Sequence, residues 1–140
     1  MAAVIDIRRF RRFELLNSPV FMEVADISPV MLEPENISWS GFEGLGGEME
    51  KLGVKVKSCG LLRYPRPGMS LICELEIGGE VFPGLVAAIP WAAREKRDLA
   101  EWTFGLKISV PTDEATRFRQ VMRRSFPGLC PRYPSPQDAN

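Results

Sequence analysis

Met69–Ile89, "MSLICELEIGGEVFPGLVAAI", decides the fold class. Met69, Leu71, Cys73, Leu75 and Ile77 fall on one side of an extended chain, and Ser70, Glu74 and Glu76 fall on the other, as a half-buried strand requires. Gly78-Gly79 follows at once and predicts a two-residue hairpin turn, so "EVFPGLVAAI" reads as the returning strand. Pro83 has no N–H to donate to a ladder, which predicts a bulge or an edge at that point.

The alternation recurs elsewhere. In "WTFGLKI", Trp102, Phe104, Leu106 and Ile108 share a face against Thr103 and Lys107. "GVKVKSC" (53–59) and "PVFMEVA" (19–25) are shorter runs, and "PVMLEPENISWS" (29–40) is a less regular one. About six strands result, and no long helix separates them, which predicts a mainly β protein built as a six-stranded antiparallel barrel.

One helix is expected, at the end. In "PTDEATRFRQVMRRSF" (111–126), Thr112 reads as the cap, Asp113 and Glu114 sit in the first turn, and Arg123 and Arg124 sit in the last. Ala115, Phe118, Val121 and Met122 form its apolar stripe, while Arg117, Arg119, Arg123 and Arg124 read as charges on its solvent side. Pro127 ends it. The Pro-rich stretch 127–140 reads as a poorly ordered tail.

With 140 residues the chain suits one domain with a core of its own. We divide it into an arm (1–18), a barrel with its helix (19–126) and the tail (127–140). Eighteen Lys and Arg balance eighteen Asp and Glu, so any anion site must be local, and neither nucleic-acid coating nor membrane insertion is expected. Cys59, Cys73 and Cys130 have no C-x-x-C pairing and no histidine beside them, since the chain contains none. They read as incidental thiols of a cytoplasmic protein, with no metal site and no cofactor. The lack of histidine also removes the commonest general base, and the expectation is a protein that is not an enzyme.

Two insertions separate the strands. "GFEGLGGEMEKLG" (41–53) lacks the G-K-[S/T] ending of a phosphate loop. "PWAAREKRDLAEW" (90–102) reads as a short charged helix or a long hairpin tip.

The charge that does gather is at "RRFRR", where Arg8, Arg9, Arg11 and Arg12 crowd into five residues. A guanidinium forks to two phosphate oxygens, bonds the O6/N7 edge of guanine and stacks on purines. Downstream, "NISWSG" sets Asn36, Ser38 and Gly41 in the order N-x-S-x-x-G. On a strand, residues 36 and 38 point to one face while Trp39 points into the barrel.

With R-x-x-x-R followed by N-x-S-x-x-G, on this strand pattern and with a C-terminal helix, residues 8–126 resemble the PilZ domain family of bacterial cyclic di-GMP receptors. The resemblance implies a barrel of split type and no catalysis. It implies that Arg8 and Arg12 contact guanine and phosphate, with Arg9 and Arg11 as additional partners. Asn36 would bond a guanine edge and Ser38 a phosphate oxygen, Gly41 would let the backbone turn beside the ligand, and Gly105 would lie near the site. The implied action is an arm that changes conformation around cyclic di-GMP and signals to a protein partner. The alternatives are an interaction module of the same fold that binds no nucleotide, and a small barrel that binds single-stranded nucleic acid through its basic arm and exposed aromatics.

Overall fold

The computed structural model describes residues 13–14, 20–43, 49–95 and 100–129. Arg8, Arg9, Arg11, Arg12, Cys130 and the tail from 130 onward lie outside the described residues, as does the arm apart from Phe13 and Glu14.

Among the described residues, eight strands and one helix follow in order: β1 (Phe13–Glu14), β2 (Val20–Glu23), β3 (Pro34–Glu43), β4 (Met49–Ser58), β5 (Ser70–Ile77), β6 (Glu80–Ala88), β7 (Ala92–Arg94), β8 (Trp102–Pro111) and α1 (Thr112–Ser125). Six of the strands are the expected ones, and β1 and β7 are short additions. All pairings are antiparallel, in the order β1-β3-β4-β8-β6-β5-β2, with β7 also against β8. The sheet curls into a half-barrel. β2, at one end of the sheet, is tied to the segment leading into β3 by an isolated bridge, where Met22 and Leu32 exchange backbone hydrogen bonds of 2.8 and 2.6 Å.

The Gly78-Gly79 hairpin forms as read. Both glycines have positive φ, 57° and 84°, which two-residue hairpin turns of the primed type demand, and Ile77 pairs with Glu80 across them. Pro83 falls in the register shift between Cys73 and Leu75, so the missing donor sits where the ladder is already broken.

β4 extends beyond the "GVKVKSC" run and starts at Met49. Leu52, Val54 and Val56 point inward and Lys51, Gly53, Lys55 and Lys57 outward, and the same parity carries Glu50 into the interior. The described residues of "PWAAREKRDLAEW" follow the hairpin reading: Ala92–Arg94 pair with Phe104–Trp102, and the Glu95 N–H bonds the Glu101 carbonyl at 2.9 Å, while 96–99 lie outside the described residues. Between β6 and β7 the chain bulges at Ile89–Trp91 opposite Gly105–Leu106.

α1 closes one end of the half-barrel. Phe118 stands edge-on to Trp39 (6.2 Å between centroids) and to Phe82 (5.7 Å), tying the helix to β3 and β6. Full burial of such a ring contributes about 2–3 kcal/mol, more than any surface charge on the helix. Three readings need correction here. The cap position is held by Pro111, which has no side-chain acceptor, because β8 runs directly into the helix and Thr112 is already its first residue. Arg119 is 3% exposed and belongs to the interior, not to the solvent side. Leu129, placed in the loose tail, is buried in the core, with its N–H on the Phe126 carbonyl at 2.9 Å. No helix among the described residues is long and apolar enough to cross a membrane.

Candidate functional site

Three strands, β3, β4 and β8, build a cleft on the outer face of the sheet. Register fixes its rows: Ser38 lies opposite Gly53 and Gly53 opposite Lys107, while Asn36 lies opposite Lys55 and Lys55 opposite Gly105. Two glycines on adjacent strands therefore occupy the middle of a surface whose neighbours carry amide, hydroxyl and ammonium groups. The cleft holds about 170 Å³.

Both glycines leave room for the side chains that lie over them. A Cβ on Gly53 would sit 2.6 Å from the Ser38 hydroxyl, and one on Gly105 would sit 2.5 Å from Trp91 Nε1. The bulge between β6 and β7 presents the Trp91 indole to this spot, and the Gly105 N–H bonds the Trp91 carbonyl at 3.1 Å. Trp91 thus forms one wall of the cleft, half-exposed, with its indole seated on a side-chain-free patch of β8.

The N-x-S-x-x-G stretch is a strand with a bulge, not a strand ending in a turn. The register shifts between Trp39 and Gly41, and Gly41 adopts φ 72°, a conformation that costs an ordinary residue roughly 1–2 kcal/mol. The bulge leaves Ser40 as the extra residue. It therefore joins Asn36 and Ser38 in the cleft lining, with its hydroxyl donating to the Lys51 carbonyl at 3.1 Å. Gly41 itself is outside the lining and acts through the backbone path.

Of the residues singled out from sequence, Asn36, Ser38 and Gly105 come together in this cleft. The Asn36 amide and the Ser38 hydroxyl make no hydrogen bond to any described residue, and both face the open space. The four arginines lie outside the described residues. What is described of the arm is β1, which pairs Glu14 with Asn36 and Phe13 with Ile37 at the edge of β3.

Sequence reading missed Gly53, Lys55, Lys107 and the wall formed by Trp91. The outward phase of "KLGVKVK" carries the signal for the lysines and for Gly53, because odd positions there share one face. Lys55 Nζ lies 3.7 Å from Glu35 Oε2, and Lys51 Nζ donates to Ser109 Oγ at 2.5 Å. The cleft is thus edged with positive charge held on a rigid sheet.

On the inner side of the same strands sits a second polar cluster. Trp39 Nε1 donates to Glu50 Oε2 at 2.9 Å, the Arg119 guanidinium pairs with Glu50 Oε1, and its Cζ lies 5.7 Å from the centre of the Trp39 ring. Burial pushes the Glu50 carboxyl above the usual carboxylate range, against the pull of the Trp39 bond and the Arg119 charge. Burial likewise lowers Arg119, while Glu50 raises it. This cluster joins α1 to β3 and β4, and none of its three residues lines the cleft. Among the described residues, no group of three or more cysteine or carboxylate side chains is placed to hold a metal ion.

No family model, curated protein or solved structure matches this chain.

Proposed function

We propose that the protein is a receptor of PilZ type that binds cyclic di-GMP without altering it chemically. The observation that carries the reading is the convergence of Asn36, Ser38 and Gly105 on one lysine-edged cleft, beside the strand edge where β1 attaches. An amide and a hydroxyl without partners among the described residues, next to the Lys55 and Lys107 ammonium groups, suit a guanine edge and a phosphodiester.

The cleft is smaller than the roughly 300–1,000 Å³ of a complete small-molecule site. The described walls therefore take one part of a dinucleotide, and the arginine arm closes over the remainder. Arg12 is joined directly to Phe13, and chain length keeps Arg8 within about 17 Å of it. Closure of the arm would convert ligand concentration into a new surface for a protein partner.

Titration calorimetry with cyclic di-GMP tests this. Saturable binding at micromolar ligand is expected, weakened about tenfold or more by Ser38→Ala and by Arg12→Ala, with melting curves nearly unchanged. Absence of saturable binding would leave the nucleotide-free interaction module as the better reading, and a salt-sensitive response to oligonucleotides alone would favour the nucleic-acid reading.

A further inference from the structure

The outer face formed by β2, β5 and β6 is apolar at its centre and acidic on its β2–β5 side, while on the β6 side it adjoins Ser109 and Lys107 of β8. Ile72 and Val86 are direct cross-strand partners, 58% and 48% exposed, and Val81 is 39% exposed on the same sheet. β-Branched side chains paired on a sheet face gain most when something covers them, yet here water does. Around them stand Glu23, Glu74 and Glu76, and the three strands contain neither lysine nor arginine. Arg117, which borders this face, is committed to Glu80, Glu114 and the Val81 carbonyl.

Glu23 and Glu74 face each other directly across the β2–β5 ladder. Like charges in that position destabilise a sheet, and neither carboxylate has an ion-pair partner among the described residues. Beside them lies a recess of about 220 Å³, bounded by Glu23, Asp26, Ile72, Glu74 and, on the β6 side, the bulged Gly84 (φ 65°). Its dimensions and chemistry suit a long cationic side chain: the methylene stem lies along Ile72 and the charged head reaches the carboxylates.

The geometry points to this face as the docking surface for a protein partner that presents a lysine or arginine anchor beside apolar, strand-like residues. Charge complementarity selects the occupant, because an acidic or neutral apolar surface would leave Glu23, Glu74 and Asp26 desolvated without compensation. The inference is independent of the nucleotide reading, since none of its residues lines the cleft, which adjoins this face across the β6–β8 pairing.

The probe is a short synthetic peptide alternating arginine with valine, added to the full chain and followed by amide chemical shifts. A counterpart with glutamate in place of arginine serves as its control. The basic peptide should shift Glu23, Ile72–Glu76 and Val81–Val86, and Glu74→Lys should weaken its binding about tenfold or more. Ile72→Ser should weaken it too, which attraction between charges alone would not produce. Glu74→Gln should raise the melting temperature slightly, because it relieves the Glu23–Glu74 repulsion. Shifts centred on β3, β4 and β8, or indifference to both Glu74→Lys and Ile72→Ser, would overturn the proposal. So would a wild-type dimer that Glu74→Lys converts to monomer, since a second copy would then be the occupant.

Discussion

Strands β3 and β4 carry two polar clusters on opposite faces, and the contrast between them separates binding chemistry from structural chemistry. On the outside, Asn36, Ser38 and Lys55 line a cleft around a glycine floor, Ser38 and Lys55 partly exposed and Asn36 recessed among them. On the inside, at positions of the opposite parity on the same two strands, Trp39 and Glu50 are sealed in the core with the Arg119 of α1. The outer ion pair, Lys55 with Glu35 at 3.7 Å, has both side chains more than a third exposed and contributes about 0–1 kcal/mol. The inner pair has lost its water, so each charge depends on the other. The same residue types therefore do different work according to strand parity. Groups free to meet a ligand lie outside, and groups committed to one another lie inside.

The largest effect should come from breaking the inner cluster. Arg119→Ala leaves the Glu50 carboxylate buried without its countercharge, and urea denaturation should show a loss of about 3–5 kcal/mol. Glu50→Leu combined with Arg119→Met should recover most of that, because a buried ion pair is worth little more than well-packed apolar residues. A double variant as unstable as the single one would mean that the pair itself stabilises the fold.

A smaller effect on stability, with a large one on the cleft, is expected from Gly105→Ala. The new Cβ would meet Trp91 Nε1, and since the indole is half-exposed it can swing outward, at a cost of about 1 kcal/mol. Tryptophan emission should move to the red, and cyclic di-GMP affinity should fall about tenfold or more. Unchanged affinity would remove Trp91 from the site.

The smallest effect is in pH. The raised Glu50 pKa means that the folded state holds this proton more tightly than the unfolded state, whose value is near 4.5. The stability of the wild type relative to Glu50→Gln should therefore increase as pH falls towards 4.5 and be lost as pH rises through the folded-state value. Parallel melting curves of the two proteins across that range would show the opposite, that the ion pair holds Glu50 at its ordinary pKa.

Much of this contrast was legible in the sequence. Parity placed Trp39 inside and Asn36 and Ser38 outside, and "MSLICELEI" with Gly78-Gly79 defined a hairpin that forms residue for residue. Arg119 was misread because charged helix residues are usually solvated. Its place on the Ala115–Phe118–Met122 side of α1 was the available signal, and without knowledge of a buried carboxylate it pointed nowhere. Glu50 escaped for the matching reason: a carboxylate on the inward phase of a strand reads as the end of the strand until a cation is found opposite it.

The chain by itself determined the strand alternation, the turn chemistry and the helix, because these depend on the period of apolar residues and on the backbone limits of glycine and proline. Tertiary structure alone decided which side chains meet. Gly53 with Ser38, Gly105 with Trp91 and Glu50 with Arg119 are joined by the curl and register of the sheet and by the seating of α1, and local sequence encodes none of those distances. Register is set by burial summed over all the strands at once, so the cleft and the ion pair exist only when the whole sheet has closed around its core.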